Sequence, residues 1–220
     1  LVKMQLHPND WYVRQARRIL HERALNQKLQ PGTNSALRTL LAEQKDVSRK
    51  LRALWCLHVT GGADDDTLMG LLSSSEEYVR AWAIQLMAED QKVSPDVLKL
   101  WAAMAKDDSS PVVRLYLASA LQRLPHEQRW SVLDGLVIHE EDAKDHNLPL
   151  MLWYALEPLV TGDVKRALLL ARSSKIPLIT RYVTRRIAGG AAQTVASGKT
   201  VKPAESVSDE GLLVALNPNN

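Results

Sequence analysis

The polar segment 139–147, which reads HEEDAKDHN, carries the residues of this chain best suited to binding a metal ion. If a helix continued through it, His139, Asp142 and His146 would lie close to one face, because residues three and seven apart in a helix project to the same side. Two imidazoles and one carboxylate form a ligand set that divalent transition metals accept. These three residues are therefore the candidate metal ligands.

The alternative interpretation is a polar turn in which Asp145 and Asn147 cap the following helix. Asn147 stands two residues before Pro149, and proline favours the first turn of a helix. A helix start at this point would break the single-face arrangement of the candidate ligands. We favour the turn, and we predict that this chain has no metal site and no cofactor of its own.

Other catalytic chemistry has little support in the sequence. Cys56 is the only cysteine, so an intrachain disulfide and a Cys-x-x-Cys pair are both ruled out, and its apolar helical setting predicts a small buried side chain. Ser-His-Asp spacing and phosphate-binding glycine loops are not recognisable. Glu157 and Pro158, beside Trp153 and Tyr154, could line a pocket, but we favour a kink or end of the helix at Pro158. We predict that the chain is not an enzyme.

The elements that would position these residues repeat along the chain. A Val-Arg or Leu-Arg pair opens four apolar helical stretches; the signature arginines are Arg14, Arg52, Arg80 and Arg114, separated by 38, 28 and 34 residues. A period of this size is typical of stacked helical repeats. We predict an all-α fold in which five to six helical pairs form a right-handed α-α superhelix, with the signature arginine in the second helix of each pair.

Helix-start and helix-stop signals predict eleven helices. Asn, Asp, Ser or Pro residues that favour helix starts precede most of them, and Gly61 and Gly62 are expected to end one. The predicted helices are 11–23, 34–41, 47–59, one from 64, 77–89, 95–106, 111–124, 126–139, one from 147 through 156, 163–172 and 176–187.

Composition narrows the function classes only slightly. The chain has 220 residues, is 45% hydrophobic and has a formal net charge of +3; its six tryptophans are spread along the repeats, which favours packing over a binding cage. Residues 165–190 contain basic residues and no carboxylate. They lack the aromatic interleaving that stacks single-stranded bases, so we favour a solvated face over contact with nucleic acid, an anionic membrane or an acidic neighbour. No apolar run is long enough to span a membrane.

Two regions are expected along the chain. Residues 1–190 would form the repeat domain, and residues 191–220 a linker or the start of a following domain, because the stretch after Gly189 and Gly190 is rich in Ala, Ser, Thr and Lys. Residues 210–216 would add a short strand or belong to that following domain. Since the chain starts without Met and within a helical pattern, we expect it to be a piece of a longer protein.

The pattern EYVRAWAIQL, from Glu77 to Leu86, resembles the second helix of a HEAT repeat, an armadillo-type helical repeat. In that family the arginine pairs with an acidic residue of an adjacent unit, which implies Asp108 and Glu76 or Glu77 as partners here. The resemblance covers about residues 1–190. It implies a surface that binds partners rather than a particular reaction.

Longer segments resemble one particular repeat region. NDWYVR from Asn9, LWCLHVTGG from Leu54, VRAWAI from Val79 and HNLPLMLWYALEPL from His146 are similar to the helical-repeat region of the bacterial membrane-bound dehydrogenase family. In that family a propeller similar to sugar dehydrogenases precedes the HEAT repeats, and a c-type haem domain usually follows. The resemblance implies a parent that is periplasmic or otherwise exported, and whose haem c and dehydrogenase activity belong to other domains, because this chain has no Cys-x-x-Cys-His motif.

Together these observations predict a non-catalytic scaffold that binds a protein partner or links neighbouring domains of the same chain. The alternative is a nucleic-acid-binding repeat similar to helical-repeat DNA glycosylases, although we expect no nucleic-acid partner. A solenoid cut open leaves an apolar end. We therefore predict that the chain dimerises through the N-terminal repeat that contains Trp11.

Overall fold

The computed structural model describes the backbone of residues 1–196 and the side chains of residues 1–190. This part of the chain is all-helical and contains no strand. Its eleven α-helices are α1 (Asp10–Leu25), α2 (Thr33–Glu43), α3 (Val47–Val59), α4 (Asp65–Leu71), α5 (Glu77–Met87), α6 (Pro95–Asp107), α7 (Pro111–Leu121), α8 (Trp130–Leu136), α9 (Leu148–Val160), α10 (Val164–Ser173) and α11 (Pro177–Ala196). Three short 3-10 helices accompany them at Val2–Leu6, His126–Gln128 and Glu140–Lys144. Between residues 1 and 196, every helix is too short or too polar to cross a lipid bilayer.

The chain divides into two compact units: the first is Leu1–Asp90, and the second begins at Gln91. In the first unit, α3 packs against α1, α2 and α5, and α4 packs against α5. Its core is built from buried aliphatic side chains, among them Leu37, Leu54 and Leu57. Trp55 of α3 and Trp82 of α5 meet edge to face, with ring centroids 4.9 Å apart. The helices that carry the signature arginines, α1, α3 and α5, therefore form a continuous row of contacts.

The second unit also contains a row of three helices. Helix α9 packs against both α7 and α11, while α6 packs against α8. The α6–α8 contact is close at Gly135, where an added Cβ would lie 2.9 Å from the Cβ of Ala105 and from the backbone nitrogen of Lys106. Trp101 is fully buried, as the packing interpretation predicts, whereas Trp11 of the first unit is 56% exposed.

Many of the predicted helix starts and stops are confirmed. The side chains of Asp46, Ser94 and Asp163 accept hydrogen bonds from backbone N–H groups in the first turns of α3, α6 and α10. Such bonds satisfy donors that a helix start leaves without intrahelical partners. Helix α3 ends before Gly61, which adopts a left-handed φ of 73°, the conformation that favours glycine after a helix.

Three details of the predicted helices are wrong. Residues 126–139 do not form one helix, because the chain makes a 3-10 turn over His126–Gln128 and α8 ends at Leu136. Helix α2 begins at Thr33, directly after Gly32, and extends to Glu43, beyond the predicted end at residue 41. Helix α11 continues through Gly189 to Ala196, so residues 191–196 are helical rather than linker. The strand considered for residues 210–216 lies outside the described residues.

Candidate functional site

The structure does not place the three candidate metal ligands on one helix, because Asp142 lies within the 3-10 helix Glu140–Lys144 and His146 follows it. His139 precedes the 3-10 helix Glu140–Lys144 instead of continuing α8. Its Nε2 lies 2.8 Å from the carbonyl oxygen of Ala105, and since a carbonyl only accepts, Nε2 is the donor. Its Nδ1 lies 3.1 Å from Oε1 of Glu141. Within the described residues, His, Cys, Asp and Glu side chains form no group of three that could hold a metal ion.

Asp142 is instead one half of a buried ion pair with Arg114. The Asp142 carboxylate accepts from Nε and Nη2 of Arg114, both at 2.6 Å. Arg114 is 2% exposed and Asp142 is 3% exposed. These hydrogen bonds raise the pKa of Arg114 above its usual value. A bidentate guanidinium–carboxylate pair of this kind fixes both side chains in one geometry, so Asp142 is not free to coordinate an ion.

The other end of the segment behaves as a helix cap. Oδ1 of Asp145 accepts from the backbone N–H groups of Asn147 at 2.8 Å and Leu148 at 2.7 Å. These donated bonds, the one from Leu148 foremost, lower the pKa of Asp145. The Asn147 side chain makes no capping hydrogen bond. The turn that sequence reasoning favoured is therefore present, with Asp145 as its capping side chain.

Asp10 links two of the signature arginines. Its Oδ2 lies 3.1 Å from Nε of Arg14, one turn along α1, and its Oδ1 lies 3.3 Å from Nη2 of Arg52 on α3. Arg52 also donates to the carbonyl oxygen of His7 at 3.2 Å. The Arg52 side chain thereby ties α3 to the start of α1.

Arg80 and Arg114 each form a hydrogen bond to a main-chain carbonyl oxygen. Nη1 of Arg80 donates to the carbonyl oxygen of Ser74 at 2.7 Å, and Nη1 of Arg114 donates to that of Asp108 at 2.9 Å. In each case the acceptor precedes the arginine by six residues and lies in the turn before its helix. The contact to Asp108 is thus made through its main chain, and the carboxylate partner of Arg114 in the next segment is Asp142, which sequence reasoning had considered only as a metal ligand.

Cys56 is buried in α3, as predicted. Burial raises the pKa of its thiol to about 11. Because the thiolate is the nucleophile and the metal ligand, this environment makes Cys56 a packing residue.

A concave surface that the sequence did not reveal as a whole lies between α9 and α11. We call it the α9–α11 groove. It encloses about 480 Å³ and is lined by Leu150, Trp153, Tyr154, Glu157, Tyr182, Arg185, Arg186 and Gly189. Trp153, Tyr154 and Glu157 line this groove, whereas Pro158 does not, and α9 continues past Pro158 to Val160 instead of ending there.

Aromatic and charged side chains contact one another at this groove. The rings of Trp153 and Tyr182 meet edge to face with centroids 5.2 Å apart, and the Arg181 guanidinium lies 5.4 Å from the centroid of the Tyr182 ring. Nε of Arg186 lies 3.8 Å from Oε1 of Glu157. The α9 aromatics thus lie beside the basic helix α11, a combination that the linear sequence of residues 165–190 does not contain.

This arrangement has the features of a binding groove. Its volume is within the range of ligand and peptide pockets, and half-exposed aromatic rings beside arginines are the side chains that most often anchor protein contacts. Tyr154 is 51% exposed at the groove, which leaves its ring available to a partner. The groove is therefore the candidate functional site of the described residues.

Comparison with known proteins adds no family to this description. No protein-family model matches the chain, and no curated protein or solved structure matches it.

Proposed function

We propose that this chain is a non-catalytic helical-repeat scaffold that binds a protein segment in the α9–α11 groove. The observation that carries the proposal is the lining of that groove, where Trp153, Tyr154 and Tyr182 lie beside Arg185 and Arg186. Aromatic rings supply apolar contact area at low entropic cost, and arginine supplies bidentate hydrogen bonds to carboxylates. A peptide with apolar and acidic side chains would use both.

The rows of helix contacts support a repeat architecture for the scaffold. Helices α1, α3 and α5 form one row in the first unit, and α7, α9 and α11 form the equivalent row in the second. Each row consists of helices at the positions predicted for the second member of a pair. We propose that the pairs follow the HEAT type and stack as a right-handed α-α superhelix, an architecture that offers extended surfaces to partners.

The context proposed for the scaffold comes from the resemblance to the bacterial membrane-bound dehydrogenase family. On that basis it would link a dehydrogenase-like propeller to a c-type haem domain within an exported, periplasmic protein. The groove would then bind a segment of one of these neighbours or of a separate protein. In this proposal haem and any dehydrogenase activity stay with the neighbouring domains.

A displayed library of random peptides tests the scaffold function directly. We expect selection on the intact chain to yield peptides with apolar and acidic residues, and their affinity to fall at least about tenfold, or 1.4 kcal/mol, in Trp153→Ala. The control is Leu169→Ala on α10, an exposed apolar residue outside the groove lining. Selected peptides that bind the Trp153 variant as tightly as the native chain would refute the groove as the binding surface.

A second candidate function, single-stranded nucleic-acid binding, is favoured by one observation. The groove brings Trp153 and Tyr154 beside the basic segment 165–190, to which Tyr182 belongs. This segment contains seven Lys and Arg residues and no carboxylate. Stacked aromatics in a positive groove are how sequence-tolerant single-strand binding works. Its test is the anisotropy of a fluorescent oligonucleotide across a salt series; affinity should fall steeply as salt rises, and Arg185→Glu should weaken it further.

A further inference from the structure

The α9–α11 groove presents a charged side chain and an apolar surface to an occupant. Arg185 forms no ion pair or hydrogen bond with another side chain of the described part of the chain, whereas Arg186 is already paired with Glu157. Leu150 and Tyr154 offer apolar surface beside it. The matching ligand is a peptide with a carboxylate next to aliphatic side chains.

The chain itself contains one segment of this composition. Residues 209–216 read DEGLLVAL, with two carboxylates followed by four large aliphatic residues and one alanine. Carboxylates are scarce in this region, because after Asp163 the acidic residues are Glu205, Asp209 and Glu210. Charge complementarity with α11 therefore singles out residues 209–216, where acidic and aliphatic side chains adjoin.

The segment is also within reach of the groove. From Arg185 to Ala196, α11 rises about 16 Å at 1.5 Å per residue. The twelve residues 197–208 span up to about 40 Å when extended. The chain can therefore return along α11 to the groove, and a tether of this length gives an effective concentration in the millimolar range.

We propose that the acidic–aliphatic segment 209–216 docks in the α9–α11 groove of the same chain. This proposal rests on the proposed function of the groove as a peptide-binding surface and names its resident ligand. A carboxylate of the segment pairs with Arg185, and its leucines cover Tyr154 and Trp153. An external partner would then have to displace the segment, so the scaffold would bind only ligands that outcompete it.

Disulfide trapping in the full chain tests this docking. One cysteine replaces Ala215 within the segment and the other replaces Gly189, which lines the groove and whose added Cβ would meet open space. The matched control places the second cysteine at Gly190, where a Cβ also meets open space but which is not part of the groove lining. Native Cys56 does not interfere because it is buried.

We expect Gly189→Cys with Ala215→Cys to form an intramolecular disulfide at least about tenfold faster than the Gly190→Cys pair, because docking raises the local concentration at one face. Adding Arg185→Glu or Trp153→Ala should reduce the rate to that of the control. Equal rates for the two pairs, or a product that links two chains, would overturn the proposal. If the Gly189 pair does not form its disulfide faster than the control but library peptides still bind the groove, only the docking is overturned. If library peptides also fail to bind the groove, the proposed function is overturned as well.

Discussion

At the scale of single residues, Asp142 is a candidate metal ligand by its sequence but forms an ion pair with Arg114 in the structure. Two charges removed from water are stabilised only if each finds a partner with good geometry. Here both carboxylate oxygens accept from the guanidinium at 2.6 Å. Loss of either partner leaves the other charge buried and without this partner, so we expect the contact to be sensitive to substitution.

The first prediction follows from that pair. Asp142→Asn should lower the free energy of unfolding by about 3 kcal/mol, as expected when one member of a buried ion pair is removed. The measurement is urea denaturation at pH 7 followed by far-UV circular dichroism. Glu141→Gln is the control, because Glu141 also lies near Arg114, at 3.3 Å, but its side chain is exposed to solvent. An Asp142 variant as stable as the control would contradict the structural role of the pair.

The sequence could identify Arg114 but not its partner. Arg114 belongs to a repeated pattern, and repetition is visible in one sequence. Asp142 lies 28 residues further on, in a short 3-10 helix that has no periodic signature of its own. Its local sequence suggested a metal ligand, since a polar cluster looks the same whether its charges face an ion, water or a distant arginine.

At the scale of helices, helix starts were predictable because a capping side chain lies directly before the helix that it caps. The second prediction concerns the Asp145 cap of α9. Asp145→Ala should cost about 1 kcal/mol of unfolding free energy at pH 7, the typical effect of losing a capping side chain. Asn147→Ala is the matched control, because its side chain makes no capping hydrogen bond, and should have a smaller effect.

The same cap predicts a pH dependence. Asp145 has a lowered pKa in the folded chain, whereas the unfolded value is about 3.9. Its stabilising contribution is therefore complete above pH 4 and is lost as pH falls through the folded value. The stability difference between the native chain and Asp145→Ala should shrink below about pH 4; a difference that is constant from pH 7 to pH 3 would contradict the ionised cap.

The third prediction concerns the contact of α6 with α8. Gly135→Ala would place a Cβ 2.9 Å from the backbone nitrogen of Lys106, and overpacking of this kind costs about 1–3 kcal/mol. Gly70→Ala in α4 is the opposite case, because its Cβ would meet open space, and alanine is the better helix former by up to about 1 kcal/mol. Thermal denaturation should show the two changes with opposite signs; a stabilising Gly135→Ala would contradict the close approach.

Helix ends that depend on distant contacts were not predictable. Helix α8 ends at Leu136, and the carbonyl oxygen of Val137 accepts a hydrogen bond from the backbone N–H of Lys175 at 2.8 Å. Because the two residues are distant in sequence, no local sequence pattern predicts this bond. Gly189 and Gly190 looked like a helix stop, but neither adopts the left-handed φ that ends a helix at glycine. The α9–α11 groove was missed as a whole for the same reason, because its two helices are separated in sequence.

At the scale of the whole molecule, the small net charge conceals an uneven distribution. The formal net charge is +3, yet residues 164–204 contain no carboxylate while they carry nine Lys and Arg residues. Such segregation attracts acidic segments over a distance of about a Debye length. It gives the groove a field that favours an anionic occupant, consistent with the binding proposed for it.

The fourth prediction is self-association through the N-terminal aromatic cluster of His7, Trp11 and Tyr12. The Trp11 and Tyr12 rings lie 5.0 Å apart, and the His7 ring lies 4.8 Å from Tyr12, so the three rings form one patch. Trp11 and Tyr12 are 56% and 45% exposed, and burying a tryptophan against a second copy would remove a large apolar area from water. We therefore expect concentration-dependent dimerisation.

Sedimentation velocity over a range of concentrations measures this association. Trp11→Ser should weaken it by at least about tenfold, or 1.4 kcal/mol, because the largest ring of the patch is removed. Tyr78→Ser is the control, since Tyr78 on α5 is exposed to a similar extent, at 48%, but lies outside the patch. A native chain that stays monomeric at the highest concentration would refute the dimer, and equal weakening by both variants would show that general surface hydrophobicity, rather than the Trp11 patch, drives association.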